Sequence, residues 1–449
     1  MRCGGLSVFW GSMLSDLSNL ENEHDGEPPT SALPFAVGFY FAFRLFIVLL
    51  SVRILGTDPQ TGSGINLAVN IFLLIVVAFC CLGETGVPFR QMAQLSGVRW
   101  VLFFLGFSCC SLLWSDTASI SVSIAYWCGL SADVAIVILL FRTGRITGTA
   151  DSLMKGYVWG ACVGAVTAWL LPAQSDLRLG DEELLGPNNI GYLCAFAFFF
   201  AQYLMRKKNG TWRVPALLLA VTVLRSLSKT TIVAFLAAEM FLLIRDKSMK
   251  RQTKILLLLA GTVVIAAFSA LLASYYDIYT SAGNQSETLS GRLGIWAYFL
   301  AEALQQPWVG HGFDAVWKVV PPFGPDKFEA PHAHNELLQQ FYAYGLVGIC
   351  IFVGLYGSLY RHIRRLTNGP AKTFFFAFLF FVLVRGTADT DRFDLSFPLW
   401  AIVMISLLIE HARTEGESTT AFSPIERSGM AALPQTRLMI HGGLSEEGS

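Results

Sequence analysis

Residues able to bind a phosphorylated group and to move a proton lie in one segment of the chain, 290–335. The stretch Pro331-His-Ala-His-Asn places His334 directly before a predicted helix, whose dipole keeps a histidine there neutral. His334 is therefore a candidate general base. Arg292 stands in the first turn of another predicted helix, capped by Ser290, and an arginine beside free backbone N–H groups forms a candidate phosphate site. The alternatives are an exposed loop histidine and an arginine that reaches toward lipid headgroups.

The same segment holds three supporting candidates. His311 is a third histidine, Trp296 lies on the same helix as the arginine, and Asn335 can cap the helix that follows it. His332 and His334 can instead form a metal site, but no third ligand stands at a spacing typical of zinc and no cysteine lies in the segment. We therefore predict neither a metal nor a cofactor.

A second basic group lies in Arg225-Ser-Leu-Ser-Lys-Thr-Thr, a short connection between two apolar runs. It holds Arg225 and Lys229 at the same end of those runs, and Arg178 follows an earlier run on that side. Basic side chains in such places bind phosphorylated lipids or anchor a helix at a membrane boundary. Arg225, Lys229 and Arg178 are therefore candidate ligands for a diphosphate.

The composition indicates which elements position these residues. Of the 449 residues 54% are hydrophobic and 14% are charged, whereas about 25% are charged in soluble proteins. This excludes an ordinary cytosolic enzyme, and a net charge of zero disfavours a nucleic-acid-binding protein. The apolar residues form about twelve runs near the length of a membrane-spanning helix. These runs are 35–52, 65–82, 98–114, 121–141, 156–171, 190–205, 214–227, 230–244, 255–275, 337–360, 373–384 and 395–410.

The positions of Lys and Arg orient the runs, because short cytoplasmic loops are rich in basic residues. Every second loop is basic, and the loops between them are poor in Lys and Arg. The pattern predicts an all-α, polytopic integral membrane protein with both termini in the cytoplasm. Its predicted segments are a cytoplasmic tail (1–34), nine helices (35–275), one long outer loop with the candidate residues (276–336), three helices (337–410) and a disordered cytoplasmic tail (411–449).

Two further expectations concern side chains at or inside the membrane. The predicted helix in the outer loop is amphipathic and is expected to lie on the membrane surface. Its apolar face consists of Leu293, Trp296, Leu300 and Ala303. Three charged residues fall inside predicted spans: Arg44, Asp133 and Glu239. Because an isolated charge in lipid costs about 2.5–3.5 kcal/mol, we expect Arg44 to pair with one of the two acids.

Several different short motifs lie between residues 98 and 410, at the predicted outer ends of the helices. They are Trp114-Ser-Asp, Gly186-Pro-Asn-Asn, Ser226-Leu-Ser-Lys-Thr, Gly291-Arg-Leu-Gly-Ile-Trp, Pro307-Trp-Val-Gly-His-Gly-Phe, His334-Asn-Glu-Leu-Leu and Tyr344-Gly-Leu-Val-Gly. Their order and spacing resemble the O-antigen ligase and polysaccharide polymerase family. The Ser-Lys-Thr form and Gly310-His-Gly-Phe-Asp-Ala-Val-Trp are more similar to exopolysaccharide polymerases of the succinoglycan type.

The resemblance implies a GT-C-like glycosyltransferase of the bacterial inner membrane that uses an undecaprenyl-diphosphate-linked glycan donor at the periplasmic face. It implies an essential arginine and histidine in the periplasmic loop, which match Arg292 and His334, and a basic residue, usually arginine, which matches Lys229. The implied reaction is inverting and metal-independent. His334 would take a proton from the acceptor hydroxyl, while Arg292 and Lys229, with Arg225 or Arg178, stabilise the departing diphosphate.

The acceptor stays open at this point. A polymerase transfers the glycan to another lipid-linked repeat unit, a ligase to lipid A core, and a protein O-oligosaccharyltransferase to a protein. Other implied partners are membrane lipids and polysaccharide export and chain-length machinery, with no nucleic acid. Two competing classes are a transporter, which typically has two repeated halves that are not visible here, and a noncatalytic assembly partner, which tolerates loss of both His334 and Arg292.

Overall fold

The computed structural model describes residues 32–421 except for 84–85, 173, 175–176, 182–183, 208–210, 247–249, 268–272, 275–288, 316–319, 323–329 and 392. Most of the two predicted tails lies outside the described residues, as do three stretches of the predicted outer loop. Within the described residues the chain is helical, with one isolated β-bridge between Asp181 and Leu185. The predicted all-α class is confirmed.

The described helices connect in one sequence. They are α1 (Ala32–Leu55), α2 (Pro59–Leu82), α3 (Phe89–Gln94), α4 (Ser96–Ser111), α5 (Ile120–Arg142), α6 (Ile146–Leu170), α7 (Pro187–Lys207), α8 (Arg213–Arg225), α9 (Lys229–Arg245), α10 (Arg251–Ala267), α11 (Leu289–Ala303), α12 (Glu336–Arg365), α13 (Pro370–Gly386) and α14 (Leu399–Ala421).

Each of the twelve predicted runs overlaps one of these helices, and α3 and α11 are additional. Four helices of the described chain are long and apolar enough to cross a membrane: α1, α2, α5 and α12. In contrast, α8 and α9 have 13 and 17 residues, fewer than the roughly 20 of a typical crossing. The number of crossings therefore stays a prediction.

Large apolar side chains cover the outside of the bundle. On α2, Phe72, Ile75 and Phe79 lie on one face and are exposed, Phe79 to 88%. Other residues of α2 pack against α1 and α5. A broad apolar surface of this kind is unfavourable in water and is expected for a helix that contacts lipid.

Aromatic rings join α7, α13 and α14 in the centre of the bundle. Phe196 and Phe199 of α7 pack against Phe378 of α13, and Phe196 also contacts Trp400 of α14. All four side chains are almost fully buried. Because interiors are close-packed, this cluster fixes the end of α13 relative to the start of α14. Residues 387–398, which connect these two helices, form part of the site described below.

Charged residues inside the bundle are paired as expected. Arg44 of α1 forms an ion pair with Asp133 of α5, which is 2% exposed. Asn70 of α2 donates its amide to the same carboxylate at 2.9 Å. The prediction that Arg44 pairs with an acid is confirmed, with Asp133 as the partner. Glu239 instead accepts a hydrogen bond from Gln202 at 2.9 Å.

A break in α12 is filled by the connection that follows α11. Gly345 has non-helical backbone angles (φ 61°, ψ −152°). The break removes two helical hydrogen bonds, because it moves two carbonyl groups away from the N–H groups four residues later. Residues 307–312 bond all four groups. The N–H groups of Leu346 and Val347 donate to residues 307 and 308, while the carbonyls of Tyr342 and Ala343 accept from residues 311 and 312. The motifs around Pro307 and Tyr344 thus form one structural unit.

Glycine is required where these two segments meet. A Cβ on Gly310 would lie 2.4 Å from the backbone nitrogen of Tyr344, and one on Gly345 would lie 2.5 Å from the carbonyl carbon of Trp308. Both glycines have positive φ, which disfavours other residues. The unit therefore holds the first half of α12, with His334 before it, in a defined orientation.

Candidate active site

The start of α12 places His334. Asn335 is the N-cap, as predicted, because its Oδ1 accepts from the Leu338 N–H at 3.0 Å. The Asn335 amide also donates to the Thr387 carbonyl at 2.9 Å, which ties the helix to the 387–398 connection. His334 precedes the cap with a φ of 50°, so the chain turns sharply there.

Asp389 of the 387–398 connection faces both histidines. Its Oδ1 lies 3.6 Å from His334 Nδ1 and 4.0 Å from His332 Nε2. Its Oδ2 accepts from Nη2 of Arg385 at 2.9 Å, and Asp389 and Arg385 are each 3% exposed. Burial alone would raise the pKa of Asp389, but Arg385 and the two histidines hold it well below its usual range. Asp389 is therefore ionised at physiological pH.

Arg385 directs its charge at this carboxylate. Its guanidinium carbon lies 4.0 Å from the ring centroid of Tyr192 of α7, a cation–π contact. Its Nε and Nη1 are buried and make no hydrogen bond with the described residues. The side chain is therefore held by Tyr192 and Asp389.

His332 is a neutral neighbour in the cluster. Burial, together with His334, lowers the pKa of His332 to about 3. Its Nδ1 accepts from the His334 backbone N–H at 3.2 Å, so its own proton resides on Nε2, the atom that faces Asp389. His332 thus supports the carboxylate and the backbone of His334 without adding charge.

Glu336 anchors the same helix end. It is 1% exposed, and its Oε1 accepts from Tyr356 Oη at 2.9 Å and from the Ser396 N–H at 3.1 Å. A Cβ on Gly386 would lie only 2.5 Å from Glu336 Oε2, so the end of α13 packs directly on this side chain. The His-Asn-Glu motif therefore combines a histidine that faces Asp389, a helix cap and a buried anchor.

Arg292 reaches the same connection from α11. Its Nη1 donates to the carbonyl of Ala388, the residue before Asp389, and lies 3.4 Å from Thr230 Oγ1 of α9. The helix begins at Leu289, so Ser290 lies inside α11 and is not its cap, which corrects that prediction. The structure brings Arg292 and the cluster of His334 together, although they are separate in sequence.

The predicted diphosphate ligands lie at the junction of α8 and α9. Arg225 ends α8 and donates to the carbonyl of Leu177 at 2.6 Å, which puts Arg178 close to it in the chain. Lys229 begins α9, is exposed, and directly precedes Thr230, the neighbour of Arg292. Arg292 thus contacts the residue that follows Lys229, and Arg225 contacts the residue that precedes Arg178.

Trp296 and the apolar face of α11 are only partly as predicted. The Trp296 Nε1 is buried and makes no hydrogen bond within the described part of the chain, so it can donate to a bound oxygen. Leu293 and Leu300 are 55% and 47% exposed, as expected for a helix that rests on lipid. Ala303, however, lies on the adjacent, buried face together with Phe299. The helix is apolar on both sides because it contacts protein as well.

His311 lies in a different environment. Its Nδ1 is 2.9 Å from Asp116 Oδ2, its Nε2 is 3.1 Å from the Glu302 carbonyl, and its ring stacks on Tyr342 with centroids 4.6 Å apart. Both ring nitrogens face acceptor oxygens, and the neutral ring donates to one of them, so His311 supports the fold by joining the Trp114-Ser-Asp motif to α11 and α12. Its contacts do not include the residues around His334.

The cluster around His334 also has the composition of a metal site. His332, His334 and Asp389 offer one ligand atom each within 4.8 Å of one another, a number and type that zinc accepts. Two observations disfavour a bound cation. Asp389 already accepts from Arg385, and the nearby charges of Arg385 and Arg292 repel a cation.

Sequence reasoning missed Asp389, and it placed Arg385 among the basic residues of the outer face without connecting it to His334. The available signal was an arginine in the last turn of an apolar run, followed four residues later by an acid, a spacing that pairs side chains on one helix turn. That spacing indicates the Arg385–Asp389 pair but not its contact with His334, which depends on packing between distant helices.

Fold and site together define a helical membrane protein with a histidine–aspartate pair and an arginine at one end of its bundle. Residues 214–353 match the family described as O-Antigen ligase. The chain is 27% identical to the O-antigen ligase of Pseudomonas aeruginosa over 339 residues, which cover 72% of this chain and 80% of that protein. It is 24% identical to the exopolysaccharide production protein ExoQ of Rhizobium meliloti over 384 residues, which cover 78% and 83%.

Residues 214–353 therefore match the O-antigen ligase family, and the predicted resemblance is confirmed. The matched residues run from α8 into α12 and contain Arg225, Lys229, Arg292 and His334. Asp389 and Arg385 lie beyond them.

Proposed function

We propose that the protein is a glycosyltransferase that transfers glycan from an undecaprenyl-diphosphate-linked donor at the periplasmic face of the bacterial inner membrane. The observation that carries this proposal is the meeting of Arg292 with the His334–Asp389 pair around the Ala388 carbonyl. Arg292 can stabilise an anionic leaving group, and the His334–Asp389 pair can remove a proton. A glycosyl transfer from a diphosphate needs both functions.

His334 is the proposed base. Asp389 is ionised and faces Nδ1, so it favours the tautomer with the proton on Nδ1 and stabilises the imidazolium that forms when Nε2 takes a proton. In the step that we propose, Nε2 removes the proton of an acceptor hydroxyl while its oxygen attacks the anomeric carbon. The bond from that carbon to the diphosphate oxygen breaks, and a single displacement inverts the anomeric configuration.

The leaving diphosphate gains negative charge as this bond breaks. Arg292 and Lys229, with Arg225 or Arg178, are the cations proposed to stabilise it, and Trp296 Nε1 adds a neutral donor one turn along α11. Lysine supplies a point charge where a family arginine would supply two parallel hydrogen bonds. No metal is needed in this scheme, so we expect transfer to survive dialysis against EDTA; loss that Zn²⁺ restores would contradict it.

We further propose that the acceptor is another lipid-linked repeat unit, so that the protein is a polymerase of surface polysaccharide. The Ser-Lys-Thr form and the Gly310-His-Gly-Phe-Asp segment support this choice. A ligase that uses lipid A core and a protein O-oligosaccharyltransferase are the alternatives. Both termini are placed in the cytoplasm in this proposal, and export and chain-length proteins are its expected partners.

Deletion of the gene separates these functions. Single repeat units that accumulate on the lipid carrier support a polymerase, whereas long chains left on the carrier indicate a ligase. A normal lipid-linked pool with underglycosylated proteins indicates transfer to protein. A chain carrying both His334→Ala and Arg292→Ala that restores full-length polysaccharide would contradict enzymatic function and favour an assembly partner.

A further inference from the structure

A cavity with a mixed polar and apolar lining lies beside the candidate active site. It has a volume of about 530 Å³ and lies among α1, α2, α5 and the 387–398 connection. Its size is within the roughly 300–1,000 Å³ of small-molecule sites. The proposed mechanism makes no use of it, because its lining contains none of the candidate catalytic or diphosphate-binding residues.

Two buried polar groups of the lining can form further hydrogen bonds with a ligand. Asp394 uses Oδ1 to accept from the N–H groups of Leu395 and Leu399 at 2.8 and 3.0 Å, whereas its Oδ2 has no hydrogen-bond partner among the described residues. The amide of Asn70 donates to the Gly129 carbonyl and to Asp133 Oδ1. The Oδ1 of Asn70 likewise has no hydrogen-bond partner in the described chain. The two residues are 8% and 4% exposed. Buried polar groups of this kind are costly unless a hydrogen-bond partner reaches them.

The charges of the lining indicate which ligands fit. It contains three carboxyl groups, Asp133, Asp391 and Asp394, and one arginine, Arg44, which is paired with Asp133. Burial, together with the neighbouring Asp391, raises the pKa of Asp394 well above its usual range, so this carboxyl group is neutral and can donate a hydrogen bond. Asp391 still gives the lining a net negative charge, so a diphosphate is repelled, whereas neutral hydroxyl groups find hydrogen-bond partners. This is opposite to the basic group formed by Arg292 and Lys229.

One wall of the cavity is aromatic. Tyr126 of α5 and Phe393 stack with ring centroids 4.0 Å apart at 23°, and both line the cavity. A flat aromatic face suits the apolar C–H face of a sugar ring, while the polar groups suit its hydroxyl groups. Together they form a surface for an uncharged carbohydrate.

The cavity is also near the proposed base. Asp391 follows Asp389 by two residues, and two residues of extended chain span at most about 7 Å. We infer that this cavity is the acceptor subsite, where a neutral sugar of the acceptor glycan binds so that one of its hydroxyl groups reaches His334. The inference rests on the proposed function. It adds that the neutral acceptor sugar and the anionic diphosphate of the donor bind at separate places of different charge.

Saturation-transfer NMR on the purified full chain in detergent tests this assignment. The probe is the oligosaccharide released by mild acid from the host's own surface polysaccharide, with no lipid or phosphate. We expect transfer of saturation to the sugar protons in the native protein and in His334→Ala. Tyr126→Ala and Ser121→Trp, which remove the stacking face and fill the cavity, should reduce the signal at least fivefold. Tyr360→Ala, the matched control on an exposed part of α12, should behave like the native protein.

An unchanged signal in both cavity variants, each with a native unfolding midpoint, would overturn the inference. So would displacement of the oligosaccharide by glycerophosphoethanolamine at equal concentration, which would identify the cavity as a site for a lipid headgroup. In reconstituted transfer assays the cavity variants should raise the KM for the acceptor and leave the KM for the donor unchanged. Failure of the native protein to transfer glycan while it still binds the oligosaccharide would reject the proposed function and leave the binding site standing.

Discussion

Two of the histidine–aspartate pairs in the described chain use the same chemical groups in different ways. In the His311–Asp116 pair the ring and carboxylate are 2.9 Å apart, the imidazole is stacked and faces an acceptor oxygen with each nitrogen, and the aspartate side chain is 51% exposed. In the His334–Asp389 pair the distance is 3.6 Å, and the aspartate side chain is 4% exposed and bound to Arg385.

The difference shows what separates a structural pair from one suited to proton transfer. A fixed, buried, ionised carboxylate can stabilise charge that appears on its histidine during a reaction, whereas an exposed one is screened by water. The ring of His311 instead contacts other segments through both nitrogens and its face, so it joins three segments of the fold. Distance alone would favour His311–Asp116, whereas burial and the neighbouring charge favour the proposed pair, His334–Asp389.

The largest expected effect is the loss of transfer in His334→Ala. Removal of a general base typically costs about 10²–10⁴-fold, so we expect a fall of about 10³-fold in glycan transfer with normal abundance in the membrane. His311→Ala is the matched control, and its transfer rate per folded molecule should stay near the native value. Equal losses in the two variants, measured with purified lipid-linked donor, would remove the distinction between the pairs.

A smaller loss is expected for Asp389→Asn, which keeps the shape of the side chain and removes its charge. Without the carboxylate, the imidazolium of His334 is no longer stabilised, and kcat should fall by about 10²-fold or more with little change in donor KM. The control is Asp116→Asn, which should leave kcat unchanged. A native kcat in Asp389→Asn would show that the ionised carboxylate is not needed.

Part of this site could be predicted from the sequence, because its signals are local. His334, the Asn335 cap and Arg292 each stand at a recognisable helix start. Asp389 and Arg385 could not be assigned to it, since they reach His334 through the aromatic packing of α7, α13 and α14.

The membrane helices show the same limit. Apolar runs located the helices but could not select Asp133 over Glu239 as the partner of Arg44, because hydropathy carries no information on which helices are neighbours. The contact of His311 with Asp116 could not be predicted either, since the two residues are far apart in the chain.

Stability should respond in the opposite order to activity. His311→Ala loses the contacts of both ring nitrogens, of which the neutral ring donates one hydrogen bond, and a ring stack, which we expect to cost about 1–3 kcal/mol. The variant should therefore unfold several degrees below the native protein in a thermal scan in detergent. His334→Ala should shift the midpoint less, and a larger shift in His334→Ala would indicate that the second pair is structural as well.

The smallest effect concerns His332 and pH. Its pKa is about 3 in the folded protein and near 6.5 when unfolded, so between these values the unfolded chain binds the extra proton. Stability should therefore rise with pH in this window and fall on acidification, by up to about 1.4 kcal/mol per unit. From pH 7 to pH 5 the unfolding midpoint of His332→Gln should fall less than that of the native protein. Parallel falls would show that His332 is not held neutral.

A double-mutant cycle on the transfer rate tests the central claim that Asp389 acts through His334. The native protein, His334→Ala, Asp389→Asn and the double variant are compared in vesicles with lipid-linked repeat units as donor and acceptor. We predict that Asp389→Asn slows the native protein by about 10²-fold or more but leaves the residual rate of His334→Ala unchanged. An equal fold-loss in both backgrounds would contradict the account, because the two residues would then act independently.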